Sequence, residues 1–186
     1  MQLTISPEAA PPPAPEWPQQ IHSVLKHHKI EQVAYVPDAG HSHLIRQCHD
    51  DNAMRTVSLT TEEEGIAQLA GAWLGGQRGV LLMQSSGVGN CINMLSLVRA
   101  CRFPFVALVT MRGEWAEFNP WQVPMGQTTE ASLNLAGVIT YRVDEPDDVL
   151  ETIDAAVGFA FDSETAVAVL LSQRLIGRKR WVNNNG

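Results

Sequence analysis

Apolar residues recur along this chain in two alternating rhythms. One is the three-to-four-residue spacing of a helix with a buried stripe, as in Ile21, Val24 and Leu25 within 19–29. The other is a short apolar run between turn signals, as in Val80-Leu81-Leu82-Met83 and Phe105-Val106-Ala107-Leu108-Val109. Continuous runs of that length fit strands covered on both faces, the pattern of a parallel sheet. Taken in order, the rhythms predict helix 19–29, strand 32–36, helix 41–51, strand 55–59, helix 62–74, strand 79–84, helix 90–100, strand 105–109, helix 129–136, strand 139–143, helix 147–161 and strand 166–171. Such alternation predicts an α/β fold: three layers, with a mostly parallel sheet of about six strands between helices.

In such sheets ligands gather at the carboxyl ends of the strands. Four connections qualify: 37–41, 60–63, 84–90 and 110–127. The last is long for a connection, and its Trp115 and Trp121 argue for a functional loop. Outside the alternation, 1–18 is rich in proline and expected to be an extended tail, 19–177 forms the domain, and 178–186 is a polar tail. The proline segment could also dock on a partner.

Bulk properties narrow the partners. The 186 residues, 45% hydrophobic and 18% charged, suit a single globular domain. A net charge of −7 argues against nucleic acid and against an anionic membrane surface. No apolar run reaches the roughly 20 residues of a membrane span, and the N-terminus lacks the pattern of a secretory signal. Cys48, Cys91 and Cys101 have no metal-ligand spacing and read as reduced thiols, so a cytoplasmic protein is expected.

The candidate chemistry lies in the stretch 61–90. Glu62, Glu63 and Glu64 open a helix, where acidic residues commonly do no more than offset the helix dipole. Successive helical residues point about 100° apart, so one or two at most can face a site. The motif Ser86-Gly87-Val88-Gly89-Asn90 follows a strand, and its glycines let backbone approach a ligand. It is neither a Walker A loop nor G-x-G-x-x-G, and a tight structural turn explains it equally well. All six histidines lie before residue 50, and His41 and His43 follow the first strand. Solvated histidines are the simpler reading. No HExxH or Cys/His set accompanies them, so no metal site is expected. A serine hydrolase is excluded, because there is no G-x-S-x-G and no histidine follows the candidate serines.

Together, E-E-G-I-A-x-x-A-G-A and Q-S-S-G-V-G-N resemble the pyrimidine-binding domain of thiamine-diphosphate enzymes. The 111–127 segment, with Arg112-Gly113-Glu114 followed by glutamine and glycine, and Val36-Pro37-Asp38 resemble the sulfopyruvate/phosphonopyruvate decarboxylase family. The resemblance covers about residues 20–180. It implies that Glu63, two residues before Gly65, is the catalytic carboxylate that bonds the cofactor's aminopyrimidine. It further implies that Ser86, Gly87, Val88, Gly89 and Asn90 line that end of the cofactor, and leaves Glu62 and Glu64 as cap residues. Asp38, His41, His43 and Arg112 become candidate contacts for an anionic substrate, although Arg112 could instead anchor its own loop.

The family's G-D-G motif, followed by an Asn, which holds Mg²⁺ and the diphosphate, does not occur in this chain. The resemblance therefore implies an α subunit of a decarboxylase of 2-keto acids, with sulfopyruvate as the expected substrate. It would be active only with a separate diphosphate-binding β subunit that carries the Mg²⁺, and would pair with a second copy of itself. The alternatives are a phosphonopyruvate or other 2-keto acid decarboxylase or carboligase subunit, and a non-catalytic structural or regulatory domain of the same fold.

Overall fold

The computed structural model describes residues 16–177. The elements run α1 (Trp17–His27), β1 (Ile30–Tyr35), α2 (Ser42–Asp50), β2 (Arg55–Ser58), α3 (Glu62–Leu74), β3 (Arg78–Gln84), α4 (Ser85–Cys91), α5 (Leu95–Cys101) and β4 (Phe105–Thr110). They continue through a 3₁₀ turn (Pro120–Gln122), α6 (Val123–Leu135), β5 (Ile139–Val143), a second 3₁₀ turn (Pro146–Asp148), α7 (Val149–Asp162), β6 (Ala166–Leu171) and α8 (Gln173–Ile176).

The six strands form one sheet in the order β2-β1-β3-β4-β6-β5, and every neighbouring pair is parallel. The expected α/β sandwich is therefore present, with a sheet that is parallel throughout.

Side-chain alternation along the strands divides the core into two layers. Val80, Leu82, Val106, Leu108, Val167, Val169 and Leu171 face α1, α2 and α7, which contribute Ile21, Leu25, Leu44, Ile153 and Val157. Leu81, Met83, Phe105, Ala107, Val109, Ala168 and Leu170 face the other way, toward Ile66 and Leu69 of α3, Val88 of α4, Leu95 of α5 and Leu133 of α6. Strands β4 and β6 are buried at every position, which is why their sequences read as unbroken apolar runs.

Three boundaries differ from the sequence expectation. Helix α1 begins at Trp17, which is only 4% exposed, with Pro18 in the first turn where no amide hydrogen is required. The expected proline-rich tail thus ends before Trp17; residues 1–15 and 178–186 lie outside the described residues.

The expected loop 84–90 is instead the helix α4, which starts directly after β3, and the chain turns at 92–94 before α5. Glycine costs a helix only about 1 kcal/mol relative to alanine, and here the missing side chains let α4 pack closely. A Cβ at Gly87 would collide with the Glu62 side chain.

The long loop 110–127 is shorter than expected, because α6 begins at Val123 with Pro124 in its first turn. Prolines read as loop signals here occupy helix starts.

Candidate functional site

The connections after β1, β2, β3 and β4 converge at the carboxyl edge of the sheet, where the strand order departs in both directions from β1. Three consecutive glutamates at the start of α3 have three different surroundings there. Glu64 turns back along the chain, its Oε2 accepting from the amides of Thr60 (2.9 Å) and Thr61 (3.4 Å), the carboxylate arm of a capping box. Glu62 is only 8% exposed and accepts a hydrogen bond from Asn90 Nδ2 at 2.8 Å, joining α3 to α4 over Gly87. Glu63 is exposed, and none of the described hydrogen bonds or ion pairs engages its carboxylate. The expected cap role holds for Glu64; Glu62 is instead a buried strut, because its rotation about α3 points it into the α3–α4 contact. Burial, reinforced by the charges of Glu62 and then Glu63, pushes the Cys91 thiol up to about 12, which leaves it inert.

Of the motif on α4, Ser86 is half-buried, with its hydroxyl donating to Gln84 Oε1 at 2.9 Å, and Gly89 and Asn90 are exposed. Gly87 packs on Glu62, and Val88 belongs to the core.

A second polar group lies where β1, β3 and β4 end. Asp38 Oδ1 accepts from Gln84 Nε2 at 2.9 Å, and its Oδ2 accepts from Thr110 Oγ1 at 2.6 Å and the Gly40 amide at 3.0 Å. His41 is wholly buried, its Nε2 3.0 Å from the Leu108 carbonyl, so that nitrogen carries the proton, while Nδ1 is buried without a partner. Burial lowers the His41 pKa, and the Asp38 carboxylate opposes this in part. His43 is exposed and its Nδ1 accepts from Arg46 at 3.0 Å. The simple picture of two solvated histidines therefore holds for His43 and fails for His41.

Arg112 is 6% exposed and bidentate on Glu117, with both nitrogen–oxygen distances 2.6 Å. Its amide donates to Ser85 Oγ at 3.0 Å. Glu117 also accepts from the Asn119 amide (3.0 Å) and Gln173 Nε2 (2.9 Å). The Arg112 hydrogen bonds, more than any other contact, hold the Glu117 carboxyl down at about 2. Arg112 thus anchors its own loop, and its fork is already filled by a carboxylate. The glycines of this segment have a packing reason: at Gly113 the backbone is left-handed, and a Cβ there would strike the Gln122 carbonyl, while one at Gly126 would strike that of Arg112.

Sequence reading missed Gln84, Thr110 and Glu117, which are polar partners of candidate residues, and Gln173, which bonds Glu117 in turn. Gln84 precedes the Ser/Gly motif directly, which was a usable signal; Thr110 and Gln173 are ordinary residues at strand ends with no local mark. The arrangement as a whole offers a solvent-facing carboxylate at a helix start, backed by rigid buried polar contacts. Such a carboxylate can exchange a proton with a polar heterocycle laid across the carboxyl edge.

No protein-family model matches the chain. It is 32% identical over 154 residues to sulfopyruvate decarboxylase subunit alpha of Methanococcus maripaludis, covering 82% of this chain and 92% of that one. The same named subunit of Methanocaldococcus jannaschii is 32% identical over 151 residues, 81% and 89% of the two chains. Phosphonopyruvate decarboxylase of Streptomyces viridochromogenes is 37% identical over 129 residues, but these make up only 32% of its length. Among solved structures, 2-oxoglutarate:ferredoxin oxidoreductase from Magnetococcus marinus superposes with a TM-score of 0.70 over 91% of this chain at 15% identity. This chain spans 34% of that one, and the likeness is one of fold.

Proposed function

This chain belongs to the sulfopyruvate decarboxylase α-subunit family, and from that premise we propose that it is the pyrimidine-binding subunit of a thiamine-diphosphate-dependent decarboxylase. Its substrate is sulfopyruvate, released as sulfoacetaldehyde and CO₂, and it works with a separate β subunit that holds the diphosphate and Mg²⁺. The observation that carries this reading is near-full-length similarity to subunits of that name, joined to an exposed helix-start carboxylate that none of the described hydrogen bonds or ion pairs engages.

The side chains at the carboxyl edge fit one half of the cofactor. A ring nitrogen that must gain and lose a proton needs an accessible carboxylate, and Glu63 supplies one. A diphosphate needs cations, and Arg112 is already committed to Glu117. The fit is therefore to the aminopyrimidine, with the phosphates left to the partner subunit. When bound, thiamine diphosphate supplies the carbon nucleophile and the electron sink of decarboxylation. Glu63 holds the proton at the pyrimidine N1′. Glu62 and Asn90 fix α3 against α4, so that Glu63 keeps its direction. Gly89 keeps the surface beside it low, and Ser86 and Asn90 present polar groups there.

Asp38, held by three hydrogen-bond donors and next to buried His41, sits at the substrate end and moves protons near the reacting carbons. His43, exposed on α2 and bonded to Arg46, is a second candidate for contacting the substrate.

The test is reconstitution. Mixed with the β subunit, thiamine diphosphate and Mg²⁺, the protein is expected to release CO₂ from sulfopyruvate faster than from phosphonopyruvate or pyruvate. Cofactor binding that needs only one of the two proteins, or a complex inert toward every 2-keto acid offered, would overturn the proposal in favour of a structural subunit. Phosphonopyruvate as the preferred substrate would overturn only the choice of acid.

A further inference from the structure

At the other end of the molecule, α1 stops at His27 and the chain turns through His28 into β1. Facing this turn, α7 presents Asp154. Among the described residues, His27, His28 and Asp154 form the one group of three whose ligand atoms can gather on a single ion, all lying within 4.8 Å of one another. His28 Nε2 and Asp154 Oδ1 are already 2.8 Å apart. Glu151, one turn before Asp154, lines the same cleft as His27 and Asp154. Gly158, one turn after Asp154, leaves space for the His28 ring, and a Cβ there would touch its Cε1 at 3.4 Å.

We propose that His27, His28 and Asp154, with Glu151 or water completing the sphere, form a Zn²⁺ site that clips α1 to α7, away from the carboxyl edge of the sheet. The donor chemistry selects the ion: two imidazole nitrogens and a carboxylate suit zinc and its first-row neighbours, whereas Mg²⁺ takes oxygen ligands. Zinc ligands at about 2.0–2.2 Å lie roughly 3 to 3.5 Å from one another, so the His28–Asp154 pair is close to its final spacing and only His27 must swing inward. His27 and Asp154 are exposed, which leaves that rotation unhindered. Both helices cover the same face of the sheet, so the ion would tie together two elements that, among the described residues, meet through apolar packing and the His28–Asp154 bond.

The experiment uses the full reduced chain carrying Cys101→Ser, because Cys101 is an exposed thiol that could take zinc itself. Calorimetric titration with Zn²⁺ is expected to give one equivalent, with no competition from excess Mg²⁺, and zinc is expected to raise Tm. His27→Ala and Asp154→Asn should each weaken binding by about tenfold or more and abolish the zinc-dependent part of Tm. Their metal-free melting should match that of the parent, which shows that they fold, and His43→Ala should bind zinc as the parent does. Binding unchanged in His27→Ala and Asp154→Asn, binding that disappears with Cys101→Ser alone, or equal affinity for Mg²⁺ would overturn the site.

Discussion

Three adjacent carboxylates show how much a single position on a helix decides. Glu62, Glu63 and Glu64 share a charge and a neighbourhood, yet one is a strut, one faces solvent and one caps the helix. If Glu63 relays a proton, Glu63→Gln keeps a hydrogen bond and loses the relay. Turnover of the reconstituted complex is expected to fall by at least about a hundredfold while the variant's Tm stays unchanged; near-normal turnover would move the role to another residue.

Glu117 tests burial in a different way. Its carboxyl titrates at about 2 instead of 4.5, so the folded state is stabilised above about pH 4.5 and that contribution is lost as the pH falls toward 2. Glu117→Gln strands a buried guanidinium and should cost about 3–5 kcal/mol at neutral pH. The gap to the parent is expected to narrow in acid-titrated denaturation curves between those two pH values. His41 has the same sense at a higher pH: burial lowers its pKa below 6.5, so folding loses stability as pH falls through the ordinary histidine range. His41→Gln should flatten stability between about pH 7 and 5.

At the scale of elements, the packing of α3 on α4 is the device that fixes the helix start from which Glu63 projects. Gly87 exists to admit the Glu62 side chain, so Gly87→Ala must push that carboxylate off Asn90 or separate the helices. A loss of about 1–3 kcal/mol is expected, as for other overpacked contacts. Glu62→Ala relieves the collision, so a double-mutant cycle read by urea denaturation should give a coupling of about 0.5 kcal/mol or more. Additive losses would mean that the two residues do not share this contact.

The segment from Arg112 to α6 is a second such device. Two glycines let its backbone cross, and Arg112, Glu117 and Gln173 lock it. Trp121, 86% exposed, and Phe118 stand out from it.

At the scale of the molecule, the sheet brings Asp38, Glu62, Ser85 and Arg112 to one edge although they span 75 residues of sequence. Parallel strands require it: every connection returns to the same side before the next strand begins, so all loops that follow strands share one edge. Among the described residues no helix is long and apolar enough to cross a membrane. If the carboxyl edge binds half of the cofactor, as proposed, the prediction at this scale is dependence on a partner. Alone, the chain should release no CO₂ from sulfopyruvate at any thiamine diphosphate concentration, and activity should titrate with added β subunit to a fixed ratio. Activity of the isolated chain would contradict the division of the cofactor between two proteins.

The architecture was legible in the sequence because it rests on repeated, redundant signals. A strand such as 105–109, apolar at every position, must be covered on both faces, and helical periods between such strands force parallel crossovers. The role proposed for Glu63 rests on its register with Gly65, which is local information. The tertiary structure alone decided what depends on distant neighbours. It made a helix of a glycine-containing motif that reads as a loop, because Glu62 and Met125 pack where side chains are missing. It buried His41 against the Leu108 carbonyl and closed Arg112 on Glu117, since whether a polar side chain meets water or a partner is set by the elements that fold over it.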